Sequence, residues 1–389
     1  MRRSFFDPAR ICTAMLCGLV LPRPAAPVPP EAREQLDRLV RGAMAEARLP
    51  SLSVAVGRDG ELVYVAAAGF AEVENSVAAS PRSVFPIGSV TKTLTAAAAL
   101  QLAERGRLAL DAPVQEHCPA FPVKEHPVTV RQLLGHLGGI RGYDYARFEE
   151  DFLNRKLYPS IEAALEKFRE DALIAPPGDR YEYSSYGYVL VGCAIEGASG
   201  LSYMEYLRAN VLEPAGMGQV TLDDPERIIP FRVGGYGRGK DGEWSPAGCF
   251  NPCDRYPAGG LVATPTDLVR FGNALLEGRL LSQASRQAMW SLQQTSGGVS
   301  SGNGLGWTVS ADGRELSQGG TTVGGSAYLY LRPEDRVVVA FATNLSLWTE
   351  GRHDLARRLA DLTRTDGSPA ASPPDDAAPA RVLETAGER

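Results

Sequence analysis

Apolar residues recur at helical spacing in PPEAREQLDRLVRGAMAEARLP, where Leu36, Val40 and Met44 share a face and Pro50 is the stop. The pattern then turns β-rich. SLSVAVG and ELVYVAAAG, separated by RDG, predict a hairpin. A long apolar helix is predicted from Ser89 to Gly106, in SVTKTLTAAAALQLAERG. From about Leu110 to Asp254 the chain reads as mostly helical, with Pro/Gly-rich joints. Strand character returns from Ala327 to Asn344 in two runs around RPED, and EGRHDLARRLADLTR predicts a last helix.

Strands at both ends and helices between them predict an α+β fold, with a mainly helical part inserted into a sheet domain. The boundaries expected are a leader over 1–29, a folded domain over 30–364 and a disordered low-complexity tail over 365–389. Within the domain, the sheet part takes about 30–108 and 303–364, and the helical part about 109–302. No internal repeat is evident. The cleft between the two parts is where residues distant in sequence can meet.

The leader begins MRRSFFDPARICTAMLCGLV, basic and then apolar from Ile11 to Leu21, too short to span a bilayer. It resembles a secretory signal, with Asp7 in the basic region and no clean cleavage site before Pro27. The expected location is periplasmic or secreted, with a cytoplasmic one left open. No later stretch reaches the roughly 18 apolar residues of a membrane span, so no transmembrane anchor is expected. Composition is that of a globular protein: 389 residues, 44% hydrophobic, 22% charged, net charge −6. An acidic chain without a basic patch has no electrostatic footprint for nucleic acid. Cys12 and Cys17 lie in the leader; Cys118, Cys193, Cys249 and Cys253 follow. CFNPC, Cys249 to Cys253, is either a small disulfide loop or two free thiols. His117, His126, His136 and His353 make no i,i+4 pair and none adjoins that motif, so no metal site is expected.

Chemistry first suggests itself at Ser89 and Lys92, three residues apart at the mouth of the apolar helix. A serine nucleophile needs an adjacent base and donors for the oxyanion. Positions i and i+3 share a helix face, and burial near a helix N-terminus favours the neutral amine that accepts a proton. The plain alternative is an N-cap serine followed by a surface lysine. Alone the pattern is weak, since a serine three residues before a lysine arises by chance.

Two further stretches change the weighing. PPGDRYEYSSYGYVLVGCAIEGASG sets Tyr183 and Ser185 just before an apolar helix, where a tyrosine can relay protons and a serine can bond the lysine or a substrate amide. Core packing is the ordinary fate of such a tyrosine. SQGGTTVGGSAYLYL carries Gly319 and Gly320, which let the backbone approach a ligand closely; a glycine-rich hairpin loop is the alternative.

These blocks, with TVRQLLGHLGGIRGY and YPAGGLVATPTDLVRFGNALLEG, stand in the order and spacing of the serine β-lactamase-related superfamily. That group includes class C β-lactamases, D,D-peptidases and esterases. The chain most resembles its mitochondrial serine β-lactamase-like branch and the bacterial relatives of that branch, over about Pro30 to Leu362. The resemblance implies a β-lactamase/transpeptidase-like fold, an antiparallel sheet flanked by helices. It implies an acylated Ser89, Lys92 as its base in S-x-x-K, and Tyr183 carrying the proton to the leaving group. An oxyanion hole is implied from the backbone N–H groups of Ser89 and Thr321. Ser185 and the segment Gln318, Gly319 and Gly320 fall at substrate-binding positions, and His136 at a structural one. No cofactor is implied. The substrate implied is a peptide amide, with a small ester close behind.

Two departures from the pattern matter. Ser185 replaces an Asn but keeps a short hydrogen-bonding group. Gln318 replaces a Lys or His, and a neutral amide cannot pair with a carboxylate, so weak or no β-lactam hydrolysis is expected. A catalytically silent binding or scaffold protein is the alternative that these departures support. Oligomeric state is left open. A second motif, GVSSG at Gly298 to Gly302, matches G-x-S-x-G, with Asp335 and His353 downstream. It lies in a Gly/Ser loop without the strand and helix that motif needs, so Ser300 is set aside.

Overall fold

A computed structural model describes residues 28–364 apart from 145 and 147. The expected tail, and nearly all of the leader with Cys12 and Cys17, lie outside the described residues. Helix α1 (Pro30–Glu46) starts on a proline, tolerated in a first turn whose N–H groups have no helical partner anyway. Strands β1 (Ser51–Arg58) and β2 (Glu61–Glu72) form the hairpin. Asp59 and Gly60 both take positive φ there, as a two-residue hairpin turn requires. A 3₁₀ turn (Gly88–Val90) leads into α2 (Thr91–Glu104). Then come α3 (Val130–Leu134), α4 (Ser185–Ser199) and α5 (Pro265–Leu276). Strands β3 (Leu316–Thr322), β4 (Gly325–Arg332) and β5 (Val337–Thr343) and helix α6 (Arg352–Leu362) close the fold.

Both ends of the chain build one seven-stranded antiparallel sheet, in the order Val77–Ala78, β2, β1, β5, β4, β3, Thr308–Val309. Its central strands are covered on both faces, which is why β1 and β5 read as nearly unbroken apolar runs. The two-residue period still sorts their side chains. Val54, Val56, Tyr328, Tyr330, Val339 and Phe341 pack under α1 and α6 with Leu36, Val40, Leu355 and Leu359. Ala55, Ala327, Leu329, Val338, Ala340 and Ala342 face the other way, into the core that holds α2, α4 and α5. Helix α2 is buried around its whole circumference from Thr91 to Leu102. A helix apolar on every side belongs at the centre of a fold, and this one carries Lys92.

The stretch from Leu110 to Asp254 is less helical than its pattern predicts. Two segments are long, α4 and a continuous helical run from Tyr203 to Ala215 that is π-helical over Arg208–Leu212. The rest is short helical turns joined by irregular chain, with brief strands at Thr221–Leu222, Tyr236–Arg238 and Trp244–Pro246. Prolines and glycines are frequent in the joints between these segments, where they disfavour continuation of a helix. Among the described residues, no helix is long and apolar enough to cross a membrane.

Of the two alternatives open for CFNPC, the structure has the free thiols, and a disulfide forms elsewhere. Cys118 is bonded to Cys193 of α4, across 75 residues, whereas Cys249 and Cys253 are free. Cys249 is exposed. The Cys253 thiol turns inward, where it accepts the Tyr158 N–H at 3.2 Å and lies 3.4 Å from the Lys156 carbonyl. Opposite orientations keep the CFNPC loop open.

Candidate active site

Ser89 does not cap a helix. It sits inside the 3₁₀ turn, and Val90, which precedes α2, makes no side-chain cap either. Its hydroxyl is partly exposed and meets two groups instead: Lys92 Nζ at 3.0 Å and the Tyr183 hydroxyl at 2.8 Å. The turn is held by contact with β3 that only glycine permits. Gly88 has φ +49°, and a Cβ there would fall 2.7 Å from the Thr321 nitrogen. A Cβ on Gly320 would fall 1.9 Å from the Ile87 carbonyl oxygen and 2.9 Å from the Ser89 nitrogen. The backbones of Ser89 and Thr321 are therefore brought side by side, because two facing residues lack side chains.

Lys92 is fully buried in the second position of α2. Besides Ser89, Nζ reaches Ser185 Oγ at 3.2 Å and the Ala258 carbonyl oxygen at 2.8 Å. No carboxylate among the described residues lies within ion-pair distance of it. Burial, and then the nearby charge of Arg255, hold its pKa well below that of a free lysine. The surface-lysine alternative is excluded by this position. Ser185, at the start of α4, also interacts with the Tyr143 hydroxyl.

Tyr183 precedes α4, whose N-cap is Ser184: its hydroxyl accepts the Gly187 N–H at 2.9 Å. The Tyr183 phenol lies deep in the cleft, and burial raises its pKa to about 12, although the hydrogen bond to Ser89 opposes that rise. His136, read from sequence as structural, packs its ring on that of Tyr183, with centroids 4.4 Å apart. It is buried, and burial together with the charge of Lys92 lowers its pKa to about 3.

Gln318, Gly319, Gly320 and Thr321 lie within β3 rather than in a hairpin loop. Gln318 is buried, and its amide Nε2 donates to the Gly319 carbonyl at 2.8 Å. A cation does stand beside this strand, but it comes from elsewhere. Arg352, the first residue of α6, places Nη2 at 2.7 Å from where a Cβ on Gly319 would be. Its Nη1 donates to the carbonyls of Gly320 at 3.3 Å and Ala327 at 3.2 Å. The guanidinium lies 5.4 Å from the centre of the Tyr328 ring and has no carboxylate partner among the described residues. Burial pushes its pKa down to about 10, which leaves it charged at neutral pH.

Sequence reasoning missed Arg352, Tyr143, Arg255 and the Ala258 carbonyl. The one local signal for Arg352 is Gly319 itself, a glycine that the approach to Ser89 does not require. The second serine motif falls away: Ser300 sits in an exposed loop between two left-handed glycines, Gly298 and Gly302. The residues once considered as its partners are engaged elsewhere. His353 meets Glu315 and Tyr328, and Asp335 meets Arg332 and Arg364.

The β-lactamase family model matches residues 36–364. Penicillin-binding protein 4 of Amycolatopsis lactamdurans is 31% identical over 366 residues, covering 88% of this chain and 93% of that protein. The mitochondrial serine β-lactamase-like protein LACTB of Homo sapiens is 28% identical over 327 residues, 66% of this chain. The chain spans 59% of the length of that human protein. The octameric penicillin-binding protein homologue from Pyrococcus abyssi superposes with a TM-score of 0.71 at 28% identity, over 85% of this chain and 77% of that one. By sequence and by fold, this chain belongs to the β-lactamase family, among penicillin-binding and serine β-lactamase-like relatives.

Proposed function

We propose that this protein is a serine hydrolase that forms an acyl-enzyme on Ser89 and hydrolyses a peptide amide, with a small ester the next candidate substrate. One observation carries the reading: the partly exposed Ser89 hydroxyl stands 3.0 Å from a buried amine without a carboxylate and 2.8 Å from the phenol of the half-buried Tyr183. A neutral amine has two N–H donors and one lone pair. The Ala258 carbonyl and Ser185 Oγ take the two donors, so the lone pair is left for the Ser89 proton. Tyr183, neutral with its raised pKa, donates to Ser89 Oγ.

Ser89 attacks the scissile carbonyl while its proton passes to Lys92. The oxyanion is received by the N–H groups of Ser89 and Thr321. Collapse breaks the bond to the leaving group, which takes a proton from Tyr183, and Lys92 returns its proton to the tyrosine. Water then attacks the acyl-enzyme, losing its proton to the same pair, and Ser89 is regenerated. Every step uses groups of this chain.

Gln318 leaves the Ser89 side of β3 without charge, which supports weak β-lactam turnover. A substrate carboxylate on the outer side of that strand would meet Arg352 instead, as a charge-assisted hydrogen bond at the free Nη2. The Cys118–Cys193 bridge supports maturation in an oxidising compartment, in keeping with a secreted or periplasmic protein.

A fluorophosphonate probe tests the reading. Stoichiometric labelling of the wild type, lost in Ser89→Ala, is the expected result. An unlabelled, folded wild type would overturn it in favour of a silent binding protein.

A further inference from the structure

The structure assigns His136 a positioning role: it holds the Tyr183 phenol against Ser89. The inference rests on the reading above, in which Tyr183 protonates the leaving group.

His136 grips the backbone on both sides of Tyr183. Its carbonyl accepts the Glu182 N–H at 2.9 Å, and its ring Nδ1 accepts the Ser184 N–H at 3.1 Å. The ring then packs on the side chain between those two amides, with centroids 4.4 Å apart and planes at 32°. Tyr188 and Tyr181 complete the enclosure, at 5.2 and 5.9 Å from the imidazole. One residue thus constrains the φ/ψ of Tyr183 and the plane of its ring together.

The backbone of His136 points the same way. It has φ +58°, a left-handed conformation that side chains disfavour, while the glycine immediately before it takes φ −89°. Glycine would occupy the left-handed position without strain. The chain spends strain on a histidine there, and strain at a non-glycine residue persists only where the surroundings enforce it. The hydrogen bond also dictates the ring's charge state. To accept from Ser184, Nδ1 must be unprotonated, and a buried ring near Lys92 stays neutral down to strongly acidic pH.

Positioning predicts an effect that depends on the leaving group. An anilide needs its nitrogen protonated as it departs, whereas a nitrophenyl ester with the same acyl group does not. His136→Ala is expected to lower kcat on the anilide by about 10²-fold, within the range of general-acid contributions, and on the ester far less. His136→Asn retains an acceptor for Ser184 and tolerates the left-handed backbone but lacks the ring. It should recover part of the loss, and it guards against a folding failure of the alanine variant. In a Tyr183→Phe background, His136→Asn should add nothing further. Equal losses on both substrates, or an undiminished loss in that background, would overturn the assignment.

A readout independent of turnover is ¹⁹F NMR of the full chain with 3-fluorotyrosine at position 183. One sharp resonance in the wild type should broaden or split in His136→Asn. An unchanged resonance sinks this inference alone. Absence of fluorophosphonate labelling sinks the hydrolase reading and this assignment with it.

Discussion

Two buried basic side chains, Arg255 and Lys92, are treated in opposite ways in this protein. Arg255 lies in a compensated cluster. Asp254 takes its Nε at 2.7 Å and its Nη2 at 2.9 Å, and takes Lys167 Nζ at 2.7 Å as well. The Arg255 guanidinium also donates to the Asp151 carbonyl at 2.7 Å, and rests 4.6 Å from the centre of the Tyr143 ring. Burial alone would lower its pKa, but Tyr143 and Asp254 outweigh that and hold it above its ordinary value. Lys92 has only two hydroxyls and a carbonyl. An ammonium ion would be costly there, so the folded protein holds the amine neutral. The same low-dielectric interior holds Arg255 as a compensated ion and Lys92 as a neutral amine. The first region even sharpens the second, since the charge on Arg255 helps keep the proton off Lys92.

The largest effect is expected at Lys92. Lys92→Met should reduce acylation by about 10³-fold or more, measured by probe labelling rate. It should not lower the melting temperature. Between its depressed folded-state pKa and about 10.4, the unfolded chain binds a proton that the folded chain lacks, so stability rises with pH across that window. Lys92 therefore destabilises the fold wherever the pH lies inside it, and methionine removes that cost. In the wild type, acylation should rise with pH along a limb set by Lys92, well below the range of a free lysine. A limb near the ordinary lysine value would refute the uncompensated pocket.

Asp254→Asn attacks the other side of the comparison. It leaves Arg255 and Lys167 facing a neutral amide, and stability should fall by about 3–5 kcal/mol. Chemical denaturation would measure this, and the molecules that remain folded should still label at Ser89. If Asp254→Asn were neutral for stability, the cluster would not be the compensated site described here.

Arg352→Ala is a smaller test, of the free guanidinium beside Gly319. KM for a carboxylate-bearing acyl donor should rise roughly tenfold, the worth of one charge-assisted hydrogen bond, with kcat little changed. A neutral analogue should be unaffected, and equal effects on both would exclude Arg352 as the contact. Smallest of all, Ser300→Ala should leave labelling and turnover as they are. Loss of activity in that variant would move the nucleophile.

Much of this was legible beforehand because it is encoded in local order. The hairpin over 51–72 follows from two short β-rich runs and a turn that accepts positive φ, and the last two strands from β-rich runs around RPED. Ser89, Lys92 and Tyr183 stood out by residue type, but the resemblance to a family's ordered blocks selected them, and it alone singled out Thr321; the fold brings them to one cleft. The disulfide was not legible, since Cys118 and Cys193 are 75 residues apart while CFNPC offered a nearer pair. The stretch after Leu110 holds less helix than its pattern predicts, because frequent prolines and glycines interrupt its apolar periodicity.

His136 and Arg352 mark the division most clearly. Sequence alone determined that a serine stands three residues before a lysine at the mouth of an apolar helix, and that Gln318 carries no charge. It could not distinguish a capping serine from one that faces an amine and a phenol, nor a solvated lysine from a buried amine. Those properties depend on what lies across the cleft: Tyr183 and Ser185 almost a hundred residues away, the Ala258 carbonyl farther still, and the first residue of α6. Hydrogen bonding and desolvation act through distances of a few ångströms in space, and chain order does not report such distances until the two ends of the chain close one sheet.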